Sequence, residues 1–192
     1  MNRPTVPLSR ISSEDWPAVH SWASLAEACR YQPWGPNTAD ETRDFVEGAV
    51  RAWSQSPQRR FPYVARLGAD VVGMGELHVR SEAQRQGEIS YIAHPRFWGR
   101  GIGTEIGRQL LAFGFGELSL HRIYATCDPR NLDSFRVLTK LGMRQEGRLR
   151  HTQMIRDGWR DSLILSILED EWRASVHSSL NALGSSPGPL AP

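Results

Sequence analysis

Pro95-Arg96-Phe97-Trp98-Gly99-Arg100-Gly101-Ile102-Gly103-Thr104-Glu105 is the stretch on which the reading of this chain turns. An apolar run, Ile89 to Ala93, precedes it, and a helix-like pattern follows. Glycines at alternate positions let a backbone turn approach a ligand closely. A helix opening directly behind them aims unpaired N–H groups, and the positive end of its dipole, at that ligand. The stretch is therefore expected to cradle a phosphate.

Three kinds of glycine-rich turn do this. A P-loop needs Gly-Lys followed by Ser or Thr, and the chain has no Gly-Lys pair. A dinucleotide fingerprint needs Gly-x-Gly-x-x-Gly, whereas the spacing here is Gly-x-Gly-x-Gly with Thr at 104. The third pattern, Arg or Gln-x-x-Gly-x-Gly, is met by Arg96, Gly99 and Gly101. It resembles the pyrophosphate loop of the GNAT N-acetyltransferases, which bind acetyl-CoA. The wider string, Trp98-Gly99-Arg100-Gly101 and then Thr104-Glu105, is similar to the RimJ/RimL branch of that family. Further on, Asn131-Leu132-Asp133-Ser134 leads an apolar helix pattern that ends in Leu141-Gly142-Met143. That string also resembles the branch.

Working outward, the chain has 192 residues, 40% hydrophobic and 23% charged. This suits one domain with a full core. A net charge of +2, with arginines spread along the chain, gives no case for direct nucleic-acid binding. No apolar run reaches the roughly 18 residues of a membrane span, and no signal-peptide pattern opens the chain. Cys29 and Cys127 lie far apart, so neither a disulfide scaffold nor a metal site is expected, and a reducing, cytoplasmic setting is. Lys140 is the only lysine.

Periodicity supplies the rest. Val6 to Ile11 reads as an edge strand. Ser12 with Asp15 and Thr38 with Glu41 read as capping boxes for two helices. Phe61 to Arg66 and Val71 to Val79 form a hairpin, and Glu88 to Ala93 a strand. The helix from Ile102 is expected to stop near Gly114 and Gly116. Arg122 to Cys127 is a strand, Leu132 to Leu141 a helix, and Met143 to Leu168 a last hairpin about Asp157-Gly158. The order β-α-α-β-β-β-α-β-α-β-β describes a mixed α/β single domain with a mostly antiparallel sheet flanked by helices. The GNAT fold has this order, and the resemblance covers Val6 to Trp172, residues 6–172. Residues 173–192, rich in Ser, Gly and Pro, are expected to form a flexible tail.

Acetyl transfer from a thioester to an amine makes four chemical demands: donors for the CoA phosphates, a polarised carbonyl, a deprotonated amine and a proton for the departing thiolate. By resemblance, Phe97 to Thr104 (Phe97, Trp98, Gly99, Arg100, Gly101, Ile102, Gly103, Thr104) hold the pyrophosphate. Arg96 and Arg100 add positive charge there, and the backbone of Ile92 and Ala93 pairs with pantetheine. Asn131 is placed to bond pantetheine, and Ser134 resembles the serine proposed to protonate the CoA sulfur. Both also fit a helix N-terminus, Asn131 as N-cap and Ser134 three residues in. Arg136 and Lys140 are positioned to reach the nucleotide end or to face solvent. For the base, Glu88 resembles the strand glutamate of some GNAT enzymes. The RimL-type position falls near Gln153, which is no base, so Glu88, His151 and Asp161 stay open.

The acceptor is expected between the loop Tyr31 to Asn37 and the last hairpin, with Tyr31, Trp34 and His151 as its contacts. It would be a peptide N-terminus, such as that of a ribosomal protein, or a small amine. A homodimer is compatible with the resemblance. A catalytically silent acyl-CoA-binding module is the competing reading: it would keep the glycine loop and dispense with the acid and base.

Overall fold

The structure, a computed structural model, describes residues 6–184. In chain order the elements are β1 (Leu8–Arg10), α1 (Trp16–Ala23), α2 (Ala26–Cys29), α3 (Ala39–Ala52), β2 (Arg60–Leu67), β3 (Asp70–Ser81), β4 (Gln86–Ala93), α4 (Ile102–Gly116), β5 (Arg122–Cys127), α5 (Leu132–Lys140), β6 (Arg144–Ile155), β7 (Gly158–Leu168) and α6 (Glu169–Gly184). The strands form one seven-stranded sheet in the order β1-β2-β3-β4-β5-β7-β6. Every neighbouring pair is antiparallel except β4 and β5. This is the mixed, mostly antiparallel α/β domain expected from the order of elements.

The β4–β5 pair positions the site. These strands pair only at Gln86↔Arg122, Gly87↔Ile123 and Glu88↔Tyr124. Beyond Glu88 they diverge, and the β5-facing backbone of Ile89 to Ala93 is left without a strand partner. Divergence is sustained because each strand remains anchored on its other side, β4 to β3 as far as Gly73↔Ala93 and β5 to β7 as far as Cys127↔Leu163.

Two apolar layers cover the sheet. On one face α4 buries Ile102, Ile106, Leu110 and Leu111 beside Leu77, Ile89, Ile123 and Leu165. On the other, α1 and α3 bury Val19, Trp22, Val46 and Ala49 against Val64 and Met74. Each fully buried side chain of this size is worth roughly 1.5–3 kcal/mol. The capping boxes hold: Ser12 N donates to Asp15 Oδ2 (2.9 Å) and Thr38 N to Glu41 Oε2 (2.7 Å).

α4 ends at Gly116, as the sequence predicts, and Gly114 lies in its last turn, where an added Cβ would meet Ile123 Cδ1 at 2.5 Å and Leu77 Cδ1 at 2.7 Å. The glycine there is a close-packing residue. The expected flexible tail from 173 instead continues as α6 through Gly184. Glu169, Asp170 and Glu171 suit the positive end of a helix. Glu171 Oε2 accepts from Leu168 N (3.0 Å), and Trp172 stacks on Phe115 with centroids 6.1 Å apart. Residues 185–192 of that tail lie outside the described residues. No helix among the described residues is long and apolar enough to cross a membrane.

Candidate active site

The glycine stretch begins as a short helical turn, Pro95–Phe97, and enters α4 through Gly101. Gly99 and Gly101 have φ of +74° and +82°, in the left-handed region that favours glycine. A Cβ at either would meet nothing within 4 Å, so both turn an open face to solvent. Among the described residues the amides of Gly99 to Thr104 have no protein acceptor. The first amide tied down is that of Glu105, which donates to the Gly101 carbonyl (3.0 Å). Six consecutive free N–H groups at the start of a 15-residue helix make a strong anion cradle. Arg96 and Arg100 are exposed beside it, Arg100 lying over the Phe97 ring at 5.5 Å. Trp98 is half exposed, and its indole N–H donates to the Ala93 carbonyl (2.9 Å). That bond ties the cradle to the end of β4 and occupies one carbonyl of the backbone expected to meet pantetheine.

The gap between β4 and β5 is a cleft lined by Ile89, Tyr91, Thr126, Cys127, Asn131 and Ser134, among others. Asn131 caps α5, its Oδ1 accepting from Ser134 N (3.1 Å). The capping role weighed from the sequence is therefore real, and it also fixes the Ser134 hydroxyl in the cleft. Tyr91 Oη lies 3.1 Å from Ser134 Oγ and donates to the Ser134 carbonyl at 3.2 Å. Burial raises the Tyr91 phenol well above its usual range, partly offset by the Ser134 hydrogen bond. It stays protonated and can act as a donor. Burial also pushes the Cys127 thiol up to about 11, so it is a poor nucleophile beside a thioester. Arg160, buried in the same cleft, donates to Gln153 Oε1 through Nε (3.1 Å). Gln153 thus orients a cation.

A second cavity of about 360 Å³ lies between α1, the Gln32–Asn37 loop, α3 and the β3–β4 face. The two share Gln32, Ser90 and Tyr91. Trp22, Trp34, Phe45 and Met74 wall the second cavity, and Glu76 and Ser90, register partners on β3 and β4, supply polar groups together with Gln32 and Asn37. Glu76 is 9% exposed. Its Oε1 accepts from Arg60 Nη2 (2.7 Å), and its Oε2 from Arg60 Nε (3.0 Å), with His78 Nε2 at 2.9 Å. Burial alone would raise its pKa, but the hydrogen bonds from His78 and Arg60 outweigh that and hold the carboxyl below its usual range.

Several site residues read from the sequence come together here: Ile92, Trp34, Tyr31, Asn131 and Ser134 all line one cavity or the other. Glu88, His151, Arg136 and Lys140 do not. Glu88, where β4 and β5 still pair, is bound to Arg80 at 2.6 Å. His151 stands on β6 at the edge of the sheet, stacked on Trp159 at 6.3 Å, and its amide donates to Asp161 (3.0 Å). Arg136 pairs with Asp133 (3.0 Å), and Lys140 is exposed on α5. Glu76, Ser90, Arg160 and the hydroxyl role of Tyr91 escaped the sequence reading. Glu76 left a signal, a lone acid inside the apolar run Val71 to Val79, but its neighbours come from distant strands. Among the described residues no group of His, Cys, Asp and Glu could hold a metal.

A diverging strand pair, an amide cradle on the following helix and a capped serine facing the gap define an acyl-CoA transferase architecture. The acetyltransferase (GNAT) domain model matches residues 6–144, and the chain belongs to that family. An uncharacterised N-acetyltransferase, YnaD, of Bacillus subtilis is 31% identical over 159 residues, covering 83% of this chain and 91% of that protein. The spermidine N(1)-acetyltransferase of Escherichia coli K12 is 27% identical, covering 88% of this chain and 89% of that one. Mycobacterium smegmatis RimJ, solved with CoA-disulfide, superposes with a TM-score of 0.80 at 26% identity, covering 93% of this chain and 89% of that one. The protein is an N-acetyltransferase of the GNAT family, of the RimJ/RimL-like branch.

Proposed function

We propose that the chain moves an acetyl group from acetyl-CoA directly to a primary amine. The observation that carries this reading is that Ser90 and Tyr91 line both cavities. An acetyl group entering along the cleft and an amine entering from the other side come together there. The Gly99–Thr104 amides, with Arg96 and Arg100, take the CoA pyrophosphate, and the open edge of β4 takes the pantetheine amides.

The amine nitrogen attacks the thioester carbonyl carbon; a C–N bond forms and the C–S bond breaks. The Ser134 hydroxyl, held 3.1 Å from the Tyr91 phenol, delivers a proton to the departing sulfur and regains one from solvent. The proton lost by the amine passes, through water at Ser90, to Glu76, the register partner of Ser90, whose Oε2 lies 2.9 Å from His78 Nε2. Release of CoA thiol from acetyl-CoA in the presence of an amine panel tests the proposal. A protein that binds acetyl-CoA and releases no thiol with any amine is the silent acyl-CoA-binding module instead.

A further inference from the structure

The acceptor cavity is polarised in an unusual way for a site that must receive an amine. Its walls are Trp22, Trp34, Phe45, Met74 and Ile92, and Glu76 is the one carboxylate among its lining residues. Both oxygens of that carboxylate are already engaged, Oε1 by Arg60 Nη2 at 2.7 Å and Oε2 by Arg60 Nε at 3.0 Å and His78 at 2.9 Å. The cavity floor is therefore close to neutral. Of the acids on the flanking helix α3, Asp40 pairs with Arg43 (2.5 Å), Glu47 with Arg51 (3.4 Å) and Glu41 accepts from Thr38 N (2.7 Å), while Asp44 is exposed and not among the cavity's lining residues.

From this, we infer that the acceptor is a primary amine carried on a single apolar or aromatic body, with no second cation; the inference rests on the N-acetyltransferase reading above. The amine must reach Ser90 and Tyr91, which line both the cavity and the cleft. Whatever bears the amine then lies between Trp34 and Phe45, 38% and 39% exposed at the mouth. An apolar body gains there by leaving water. A second ammonium buried there would find no free anion among the lining residues, and an unpaired buried cation is strongly disfavoured. Both a small arylalkylamine and a peptide N-terminus with an apolar first side chain carry this chemistry.

The test uses the full chain with saturating acetyl-CoA and measures thiol release from 2-phenylethylamine, from the peptide Phe-Ala-Ala amide and from spermidine. The better aromatic amine is expected to exceed spermidine in kcat/KM by at least about tenfold, the discrimination a few apolar contacts supply. Whichever of the two wins identifies a small amine or a protein N-terminus as the source. Phe45→Ala is expected to lower kcat/KM for that amine by about tenfold and to leave the acetyl-CoA dissociation constant unchanged. A spermidine kcat/KM equal to or above both aromatic amines overturns the inference and leaves the N-acetyltransferase reading standing. Acetyl-CoA binding with no thiol release from any of the three overturns both.

Discussion

Replacing Gly101 by alanine separates what the fold asks of this residue from what a ligand asks. In the protein alone, the new Cβ meets nothing within 4 Å. The only penalty is conformational: φ is +82°, and a side chain in the left-handed region costs about 1–2 kcal/mol. For a chain of this size that lowers Tm by about 2–8 °C. Gly68, in the β2–β3 turn, is the matched control, with φ +63° and equally open space. Gly68→Ala should lose the same stability. The two variants should part company on acetyl-CoA. At Gly101 the methyl group stands in the cradle, and a displaced phosphate forfeits at least one charge-assisted hydrogen bond, about 1.5–3 kcal/mol. Affinity should fall by about 10- to 100-fold for Gly101→Ala and not at all for Gly68→Ala. Thermal unfolding and titration calorimetry read the two effects independently. A folded Gly101→Ala protein with wild-type affinity for acetyl-CoA would refute the cradle.

Ser134→Ala should reduce turnover by about 100-fold with little change in acetyl-CoA affinity. Because Tyr91 keeps the Ser134 carbonyl at 3.2 Å, stability should fall by only about 1 kcal/mol; a raised KM for acetyl-CoA with normal kcat would make Ser134 a binding residue. Glu76→Gln should displace the acidic limb of the pH–rate profile, and Glu88→Gln should retain it. The opposite pattern would return the base role to Glu88. Glu76 also predicts a pH-dependent stability. Its folded pKa lies below the ordinary 4.5, so its contribution is complete above that value and is lost as pH falls through the depressed one. Wild type should exceed Glu76→Gln by on the order of 2 kcal/mol at pH 7, and the gap in Tm should close in acid. A gap independent of pH would show that the ion pair with Arg60 is not its origin.

Local signals in the sequence carried most of the fold. Thr38 and Glu41 marked the start of α3, Asp157-Gly158 the last turn, and alternating apolar residues the strands. What they missed was set by tertiary context. The stop of α4 at Gly116 was legible, but the packing of Gly114 against Ile123 and Leu77 was not, because propensity is blind to distant neighbours. The α6 helix hid because the tail's composition outweighed the Glu169-Asp170-Glu171 cap and the stacking of Trp172 on Phe115. At the site, the glycine loop and the Asn131–Ser134 pair were legible because each is contiguous and tied to a helix start. The acceptor cavity was not, since Trp22, Phe45, Glu76 and Ser90 come from four elements that only the sheet brings together. Glu88 and Glu76 sit on neighbouring strands facing the same way, and only the register distinguishes the one beside Ser90.

The tip of the β6–β7 hairpin touches both halves of the site. Arg156 donates to the carbonyls of Cys29, Gln32, Trp34 and Gly35 in the acceptor loop, the bond to Trp34 at 3.0 Å. Its neighbour Asp157 accepts from Arg130 (2.7 Å), which also clasps Asp128 (2.8 Å) at the cofactor cleft. One turn of chain thus shares its anchoring between the two substrates' binding walls. Whatever stiffens one wall reaches the other through a single dipeptide. Linkage then requires that, if acetyl-CoA tightens the grip on the amine, the amine tightens the grip on acetyl-CoA by the same factor. With the two substrates placed as proposed, cutting Arg156 or Asp157 from the hairpin tip should remove that shared factor and leave each to bind independently of the other.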